Sequence, residues 1–157
     1  MKIKTRVLWI EDNAHSDYVH TVGPVLVDGR YDLVIAESAS EGIQYVTEQE
    51  FDAVIVDLRL PPGDDRRWIT VYNHGGSNRT NARLGLEVLH ALLRPRDAKV
   101  RLEFIPKWVE PKRFAVFTVE PKVEVQSIIE MLDVNVYVQK TAEVSTRVIL
   151  DILQALA

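Results

Sequence analysis

The fold of this chain is indicated most clearly by residues 51–62, FDAVIVDLRLPP. The apolar run at 53–56 is rich in β-branched residues, which fits a strand buried on both faces of a parallel sheet. The run ends at Asp57, and the turn-forming residues at 61–63 then stop regular structure. An aspartate at the end of a buried strand is therefore the first candidate functional residue.

Other polar residues occupy the same kind of position. Each stands at the end of a short apolar run elsewhere in the chain: Glu11 with Asp12, Thr118, and Lys140. The carboxyl ends of parallel strands share one edge of a sheet, and ligands bind at that edge. We therefore expect three carboxylates, a hydroxyl group and an ammonium group to meet at one place.

The pattern along the chain predicts alternating strands and helices. Strands are predicted at 6–10, 31–36, 51–56, 114–118 and 136–138. Helices are predicted from 13 or 16 to 26, from 38 to 47, from 81 to 93, after 121, and from 142 to 156. This (βα)5 pattern predicts an α/β fold, a doubly wound parallel sheet with helices on both faces. Residues 64–80 are predicted to form a long loop, and 99–105 either a short extra strand or a packed loop.

Composition limits the class of protein. A chain of 157 residues is long enough for one domain with a substantial core. It contains no cysteine, which excludes disulfides and thiol chemistry. The basic N-terminus precedes an apolar run of only four residues, too short for a signal peptide or a membrane span. A soluble, cytoplasmic protein is expected.

Charge is unevenly distributed. The chain has a net charge of −4, yet residues 59–113 contain twelve lysine or arginine residues and six acidic ones. This basic segment is either a solvated surface or a docking face for an acidic partner or a nucleic acid. The sequence leaves the two interpretations open.

The predicted cluster suits phosphoryl chemistry. Glu11, Asp12 and Asp57 would repel one another without a cation, and hard oxygen ligands suit Mg2+. A carboxylate is also a competent nucleophile for phosphoryl transfer. Lys140 could pair with a phosphoryl oxygen, and the hydroxyl of Thr118 could donate to another. Phosphate signalling is therefore favoured over a generic α/β domain.

Four segments together resemble the receiver domain of bacterial two-component response regulators, the CheY-like family. They are LWIEDN at 8–13, VIVDLRLP at 54–61, VFT at 116–118 and YVQK at 137–140. The resemblance implies a flavodoxin-like sheet with strand order 2-1-3-4-5. It also implies a single receiver domain over 1–157, with insertions after the third strand (about 64–80) and after the third helix (about 95–112).

The resemblance implies a role for each strand-end residue. Asp57 corresponds to the phospho-acceptor and Asp12 to the direct ligand of Mg2+. Glu11 corresponds to the acidic neighbour that holds the metal through water. The backbone carbonyl of Arg59 corresponds to the last protein ligand.

Three further residues correspond to the family's switch. Thr118 matches the switch hydroxyl, Lys140 the lysine that contacts the phosphoryl group, and Tyr137 the rotating aromatic residue. Phosphorylation by a histidine kinase or phosphotransfer protein would then change the face made by the fourth helix, the fifth strand and the fifth helix. That face would bind a downstream protein or a second copy of the chain. Neither a membrane nor a nucleic acid is an expected partner.

The sequence departs from the family pattern at several positions. Thr141 follows Lys140 where the family usually has a cis proline, and Val119 stands where a small residue is typical. The first insertion carries Arg66, Arg67, Trp68 and Arg79, a combination that suits either an interface anchor or a shield over the phosphorylation site.

Other functions remain as alternatives. A receiver-like protein-interaction module could act without phosphorylation. A haloacid-dehalogenase type of enzyme would need a second acid at position 59, where this chain has Arg59. Nucleotide binding lacks a Gly-rich loop after the first strand. The preferred hypothesis is a signalling domain. Its own chemistry would be limited to self-phosphorylation from small donors and autodephosphorylation, and the domain would either stand alone or form part of a longer regulator.

Overall fold

A computed structural model describes residues 3–16, 19–74 and 83–157 of the chain. Its sheet has five parallel strands in the order β2-β1-β3-β4-β5. The strands are β1 (Thr5–Ile10), β2 (Tyr31–Ala36), β3 (Ala53–Val56), β4 (Phe114–Thr118) and β5 (Val136–Gln139). The predicted parallel (βα)5 architecture and strand order are confirmed.

Six α-helices accompany the sheet in the described parts of the chain. They are α1 (Val19–Asp28), α2 (Ala39–Glu48), α3 (Arg66–Asn73), α4 (Leu84–Leu93), α5 (Lys122–Met131) and α6 (Val148–Leu156). The third, fourth and fifth helices expected from the sequence are therefore α4, α5 and α6. No described helix is long and apolar enough to cross a membrane.

The prediction of a loop over 64–80 is wrong for its first half, which contains α3. The side chain of Asp65 caps this helix by accepting a hydrogen bond from the backbone N–H of Arg67 at 2.8 Å. Trp68 is fully buried in the main core. The tryptophan therefore packs the inserted helix onto the protein and is not available as an exposed interface anchor. Arg79 and the rest of the segment beyond residue 74 lie outside the described residues.

The last helix begins later than predicted, at Val148 instead of residue 142. In the intervening turns the hydroxyl groups of Thr141 and Ser145 accept hydrogen bonds from the backbone N–H groups of Glu143 and Arg147, at 3.4 and 3.1 Å. Such local side-chain bonds offer the backbone an alternative to helical bonds. The first helix also begins later than predicted, at Val19 after turns at 13–16, and it ends at Asp28, two residues beyond the predicted end.

Residues 99–105 form a loop, which decides between the two alternatives for this segment. Val100 is buried and Leu102 half-buried, but Phe104 is 58% exposed. The alternation of polar and apolar residues here does not mark a strand, and only the first of the three apolar side chains is fully packed in the core.

Two cores cover the two faces of the sheet. Leu8 and Ile10 point to a larger core that also receives α2, α4 and α5, whereas Val7 and Trp9 point to a smaller core that receives α6. Successive strand residues alternate between the faces, as the pleat requires. Because helices cover both faces of the sheet, the strand-end residues lie at its open carboxyl edge.

Candidate functional site

The strand-end residues are held in place by backbone hydrogen bonds that continue the sheet beyond its strands. The N–H of Asp57 donates to the carbonyl of Ile10 at 3.0 Å, and the N–H of Glu11 donates to that of Ala36 at 2.8 Å. The N–H of Lys140 donates to the carbonyl of Thr118 at 2.7 Å. These residues thus have the rigidity of a strand although their side chains stand at the edge.

Lys140 joins the two buried carboxylates. Its ammonium group lies 2.9 Å from Oδ2 of Asp57 and also contacts Oε2 of Glu11. All three side chains are at most 6% exposed. The Phe117 ring lies below the ammonium group, with its centroid 5.2 Å away. The predicted convergence of Glu11, Asp57 and Lys140 is therefore present in the structure.

One ammonium group does not fully compensate these acids. Burial, together with the charge of Asp57, raises the pKa of Glu11 to about 8, against the opposing effect of Lys140. Burial lowers the pKa of Lys140, but the charges of Asp57 and Glu11 outweigh it, and the pKa lies above its ordinary value. The site therefore keeps its lysine charged and would accommodate further positive charge.

Asp12 completes a set of acidic ligands at this edge. One carboxylate oxygen from each of Glu11, Asp12 and Asp57 lies within 4.8 Å of the others, and Asp12 is exposed to solvent. Hard oxygen donors with an open, solvated side fit Mg2+, which keeps several waters and uses few protein ligands. The donor set thus fits the metal expected from the sequence, and these three residues would hold it.

Arg59 contacts the site through its backbone. Its N–H donates to Oδ1 of Asp57 at 3.0 Å, which fixes the orientation of the carboxylate. The other oxygen, Oδ2, receives Lys140. The proposed role of the Arg59 carbonyl as a metal ligand stays a prediction.

A buried glutamate beside the site was missed by sequence reasoning. Glu120 is 1% exposed, and its carboxylate accepts hydrogen bonds from Arg59 at 2.7 Å and Arg83 at 3.4 Å. Burial raises its pKa, but these two bonds outweigh it, so the pKa lies below its ordinary value. Arg83 also donates to Glu124 at 3.0 Å. The only sequence signal for this pairing was position. Arg59 stands two residues after Asp57, and Glu120 stands two residues after Thr118. Both are therefore expected at the same edge of the sheet.

A glycine places α4 against the end of β3. The N–H of Gly85 donates to the carbonyl of Leu58 at 3.0 Å. A Cβ atom at this position would stand 1.9 Å from the backbone oxygen of Asp57. Only glycine allows this approach, so Gly85 supports the site although it contributes no functional group.

The two predicted switch residues both form hydrogen bonds with the backbone of Glu120. Thr118 is fully buried, and its hydroxyl oxygen accepts a hydrogen bond from the N–H of Glu120 at 3.4 Å. The hydroxyl of Tyr137 donates to the backbone carbonyl of Glu120 at 2.7 Å. Burial raises the pKa of Tyr137 to about 12, so the phenol stays protonated as a donor. The Tyr137 hydroxyl is therefore directed towards the β4–α5 loop.

The departures from the expected pattern have a limited effect on this geometry. Val119 is 42% exposed. No cis peptide bond occurs in the described parts of the chain, so the bond between Lys140 and Thr141 is trans. Lys140 nonetheless reaches both Glu11 and Asp57.

Comparison with known proteins gives matches at the level of structure. No family model matches the chain, and no curated protein matches it. Chemotaxis protein CheY4 of Vibrio cholerae is similar in structure, with a TM-score of 0.61, 17% identity, and coverage of 99% of this chain and 100% of that chain. A CheY-like receiver domain protein from Methanospirillum hungatei gives a TM-score of 0.59 at 18% identity, covering 97% and 92%.

A third structure gives the same result. A CheY-like receiver domain from Methylobacillus flagellatus matches with a TM-score of 0.57 and 17% identity over 99% of this chain and 100% of that one. At these identities the likeness concerns the fold. The chain therefore has the fold of the CheY-like receiver domains of response regulators.

Proposed function

We propose that this chain is a phosphoryl-accepting receiver domain of a two-component signalling system, with Asp57 as the acceptor. The main support is the arrangement of Lys140, which contacts Asp57 and Glu11 at a buried sheet edge where Asp12 adds a third carboxylate. The receiver fold of the chain agrees with this role. The donor would be the phosphohistidine of a sensor histidine kinase or a phosphotransfer protein in the cytoplasm.

The residues around Asp57 have distinct roles in this reaction. An oxygen of Asp57 attacks phosphorus, and the bond from phosphorus to the histidine nitrogen breaks, leaving its electron pair on a neutral imidazole. The N–H of Arg59 and the ammonium group of Lys140 orient the carboxylate before attack. Bound Mg2+, held by Glu11, Asp12 and Asp57, would neutralise charge on the phosphoryl oxygens. Lys140 would then pair with a phosphoryl oxygen.

Phosphorylation would act on an equilibrium between two arrangements of the β4–α5 loop. Thr118 would turn towards the phosphoryl group and give up the hydrogen bond that its hydroxyl accepts from Glu120, and Tyr137 would turn inward into the space left behind. The changed face would consist of α5, β5 and α6. A downstream protein, or a second copy of the chain, would bind there.

Mass spectrometry tests the assignment directly. The protein and its Asp57→Asn variant are incubated with acetyl phosphate and Mg2+, and the mass increase of one phosphoryl group is followed. We expect labelling of the parent protein only, and labelling that requires Mg2+. Equal labelling of both proteins would place the acceptor elsewhere.

The alternative is an interaction module that acts without phosphorylation, and the low exposure of Asp57, 4%, is the observation that favours it. The same experiment separates the two functions. An intact parent protein that takes no label from acetyl phosphate or from a phosphorylated histidine kinase would support the alternative.

A further inference from the structure

A second surface lies apart from the phosphorylation site. An open groove of about 890 Å³ runs between α2, the loop that leads into α3, and the loop at 102–104. Its volume is in the range of ordinary ligand sites. Glu11, Asp57 and Lys140 are not among the residues that line it, so its chemistry is separate from theirs.

Hydrogen bonds hold the walls of the groove together. The N–H groups of Ala39 and Ser40, at the start of α2, donate to the carbonyls of Pro61 and Pro62 at 3.0 and 3.1 Å. The hydroxyl of Ser40 accepts from the N–H of Asp65 at 2.9 Å. Backbone N–H groups in the first turn of α2, which have no partner inside the helix, thus donate to the opposite loop instead of to water. The groove is formed before any partner binds, which lowers the entropy cost of binding.

The groove is strongly acidic. Five carboxylates and one guanidinium group line it: Glu37, Glu41, Asp64, Asp65, Glu103 and Arg67. Arg67 is already used, because it donates to Asp65 at 2.8 Å and to the carbonyl of Arg101 at 3.0 Å. Within the described ranges, no lysine or arginine lies within ion-pair distance of the other four carboxylates, and Glu37 lies 3.8 Å from Nε2 of His15. The pKa of Arg67 is raised, mainly by its hydrogen bond to Asp65 and to a smaller extent by the charge of Glu103. The groove thus keeps an excess of negative charge that a cationic partner could neutralise.

An exposed aromatic ring adds an apolar contact to the same groove. Phe104 lines it and is 58% exposed, beside the half-buried Leu102. A hydrated metal ion would gain nothing from this ring, whereas an aliphatic side chain could pack on it and a guanidinium group could stack over it. Carboxylates and an aromatic ring together are suited to a peptide segment.

We propose that this groove docks a cationic segment of a partner protein, in which arginine or lysine residues are interspersed with apolar ones. Charge complementarity selects the cations and Phe104 receives an apolar side chain. Arg67 already donates to a carboxylate and to a backbone carbonyl at this groove. An arginine of the partner could make the same two kinds of hydrogen bond. Because Glu37 follows β2 directly, the bound segment would lie near the sheet edge that holds Asp57.

Fluorescence anisotropy with a defined probe tests the proposal. The probe is an acetylated, fluorescein-labelled peptide in which arginine alternates with leucine and serine, and it is titrated with the full chain. We expect saturable binding. The double variant Glu37→Gln with Glu103→Gln should bind about tenfold more weakly, because two partly exposed charges are removed. Phe104→Ala should also weaken binding, by about fivefold.

A matched control distinguishes docking from net charge. Asp32→Asn with Asp97→Asn removes two exposed carboxylates outside the groove and should bind the peptide like the parent protein. Failure of the parent to bind, or equal weakening in the control, overturns the proposal. Unchanged binding in Phe104→Ala with full competition by spermine would indicate a small-cation site instead. Labelling of Asp57 by acetyl phosphate should be unaffected by the groove variants, which separates this test from that of phosphorylation.

Discussion

The ammonium group of Lys140 lies 2.9 Å from the carboxylate of Asp57, although 83 residues separate them in the sequence. Parallel strands make this contact possible, because β3 and β5 end at the same edge on either side of β4. The contact matters for stability as well as chemistry, since both groups are buried with Glu11.

Replacing Lys140 with methionine should destabilise the protein. The variant leaves Glu11 and Asp57 buried without their cation, and breaking such a pair costs about 3–5 kcal/mol. Urea unfolding at pH 7 measures the loss, and Mg2+ should recover part of it. Lys107→Met, at an exposed position, should change the free energy of unfolding by less than about 0.5 kcal/mol. Equal stability of Lys140→Met and the parent would contradict the buried pairing.

Asp12→Ala should abolish stabilisation by Mg2+. Binding of Mg2+ to the folded state should add about 2.7 kcal/mol when its free concentration is about 100 times Kd. Asp12 is exposed, so the variant should fold normally without the metal. Differential scanning calorimetry with and without Mg2+ gives the shift in melting temperature. Asp32→Ala serves as the control and should retain the shift, and a full shift in Asp12→Ala would place the metal elsewhere.

Gly85→Ala should damage the site by a steric route. The added Cβ would collide with the Asp57 backbone oxygen, so α4 or the strand end must move, at a cost of about 1–3 kcal/mol. Labelling by acetyl phosphate should fall with it. Gly23→Ala in α1 is the matched control: a Cβ there meets no atom within 4 Å outside its chain neighbours. Because Pro24 follows it in the helix and opposes the gain in helix propensity, the change should alter stability by less than about 1 kcal/mol. Equal stabilities of the two variants would refute the close approach.

Glu120→Gln should alter the acid stability of the protein. The pKa of Glu120 is lowered in the folded state, so its stabilising contribution is complete above the ordinary value of 4.5 and is lost as pH falls below it. At pH 7 the variant should lose about 2 kcal/mol, through its charged hydrogen bonds with Arg59 and Arg83. The difference between the two proteins should shrink below pH 4.5. Urea unfolding at pH 7 and pH 3.5 measures both values, and a difference independent of pH would be contrary to this expectation.

Beryllofluoride, a phosphoryl mimic, should report the switch. We expect it to perturb amide NMR signals of the parent protein across 122–132 and 136–150, because Thr118 and Tyr137 both contact Glu120 at the start of that face. In Thr118→Ala the changes should be confined to the acidic cluster. Changes confined to that cluster in the parent would indicate a receiver that binds the mimic without switching.

Much of the fold could be predicted because local patterns and topology agree. The bounds of β2 and β4 match the prediction, since each strand is a short, mostly apolar run; β2 is followed by the polar Glu37, and β4 ends in Thr118. Helix α3 was not predicted, because its eight residues include the β-branched run at 69–71 and stand between turn-forming segments at 61–63 and 73–76. The cap at Asp65 and the burial of Trp68 in the core stabilise it nonetheless. The late start of α6 likewise depends on hydroxyl-to-backbone bonds at Thr141 and Ser145.

The candidate site, too, could be predicted from the sequence only in part. The order of residues along the chain was sufficient to bring Glu11, Asp57 and Lys140 together, because strand ends in a parallel sheet have only one edge to share. The pairing of Glu120 with Arg59 and Arg83 and the close approach of Gly85 depend on how loops and α4 pack against that edge. The acidic groove joins α2 to two loops that are distant in sequence. Such contacts depend on how segments that are distant in sequence pack together, and this packing produces no periodic pattern in the sequence of either segment.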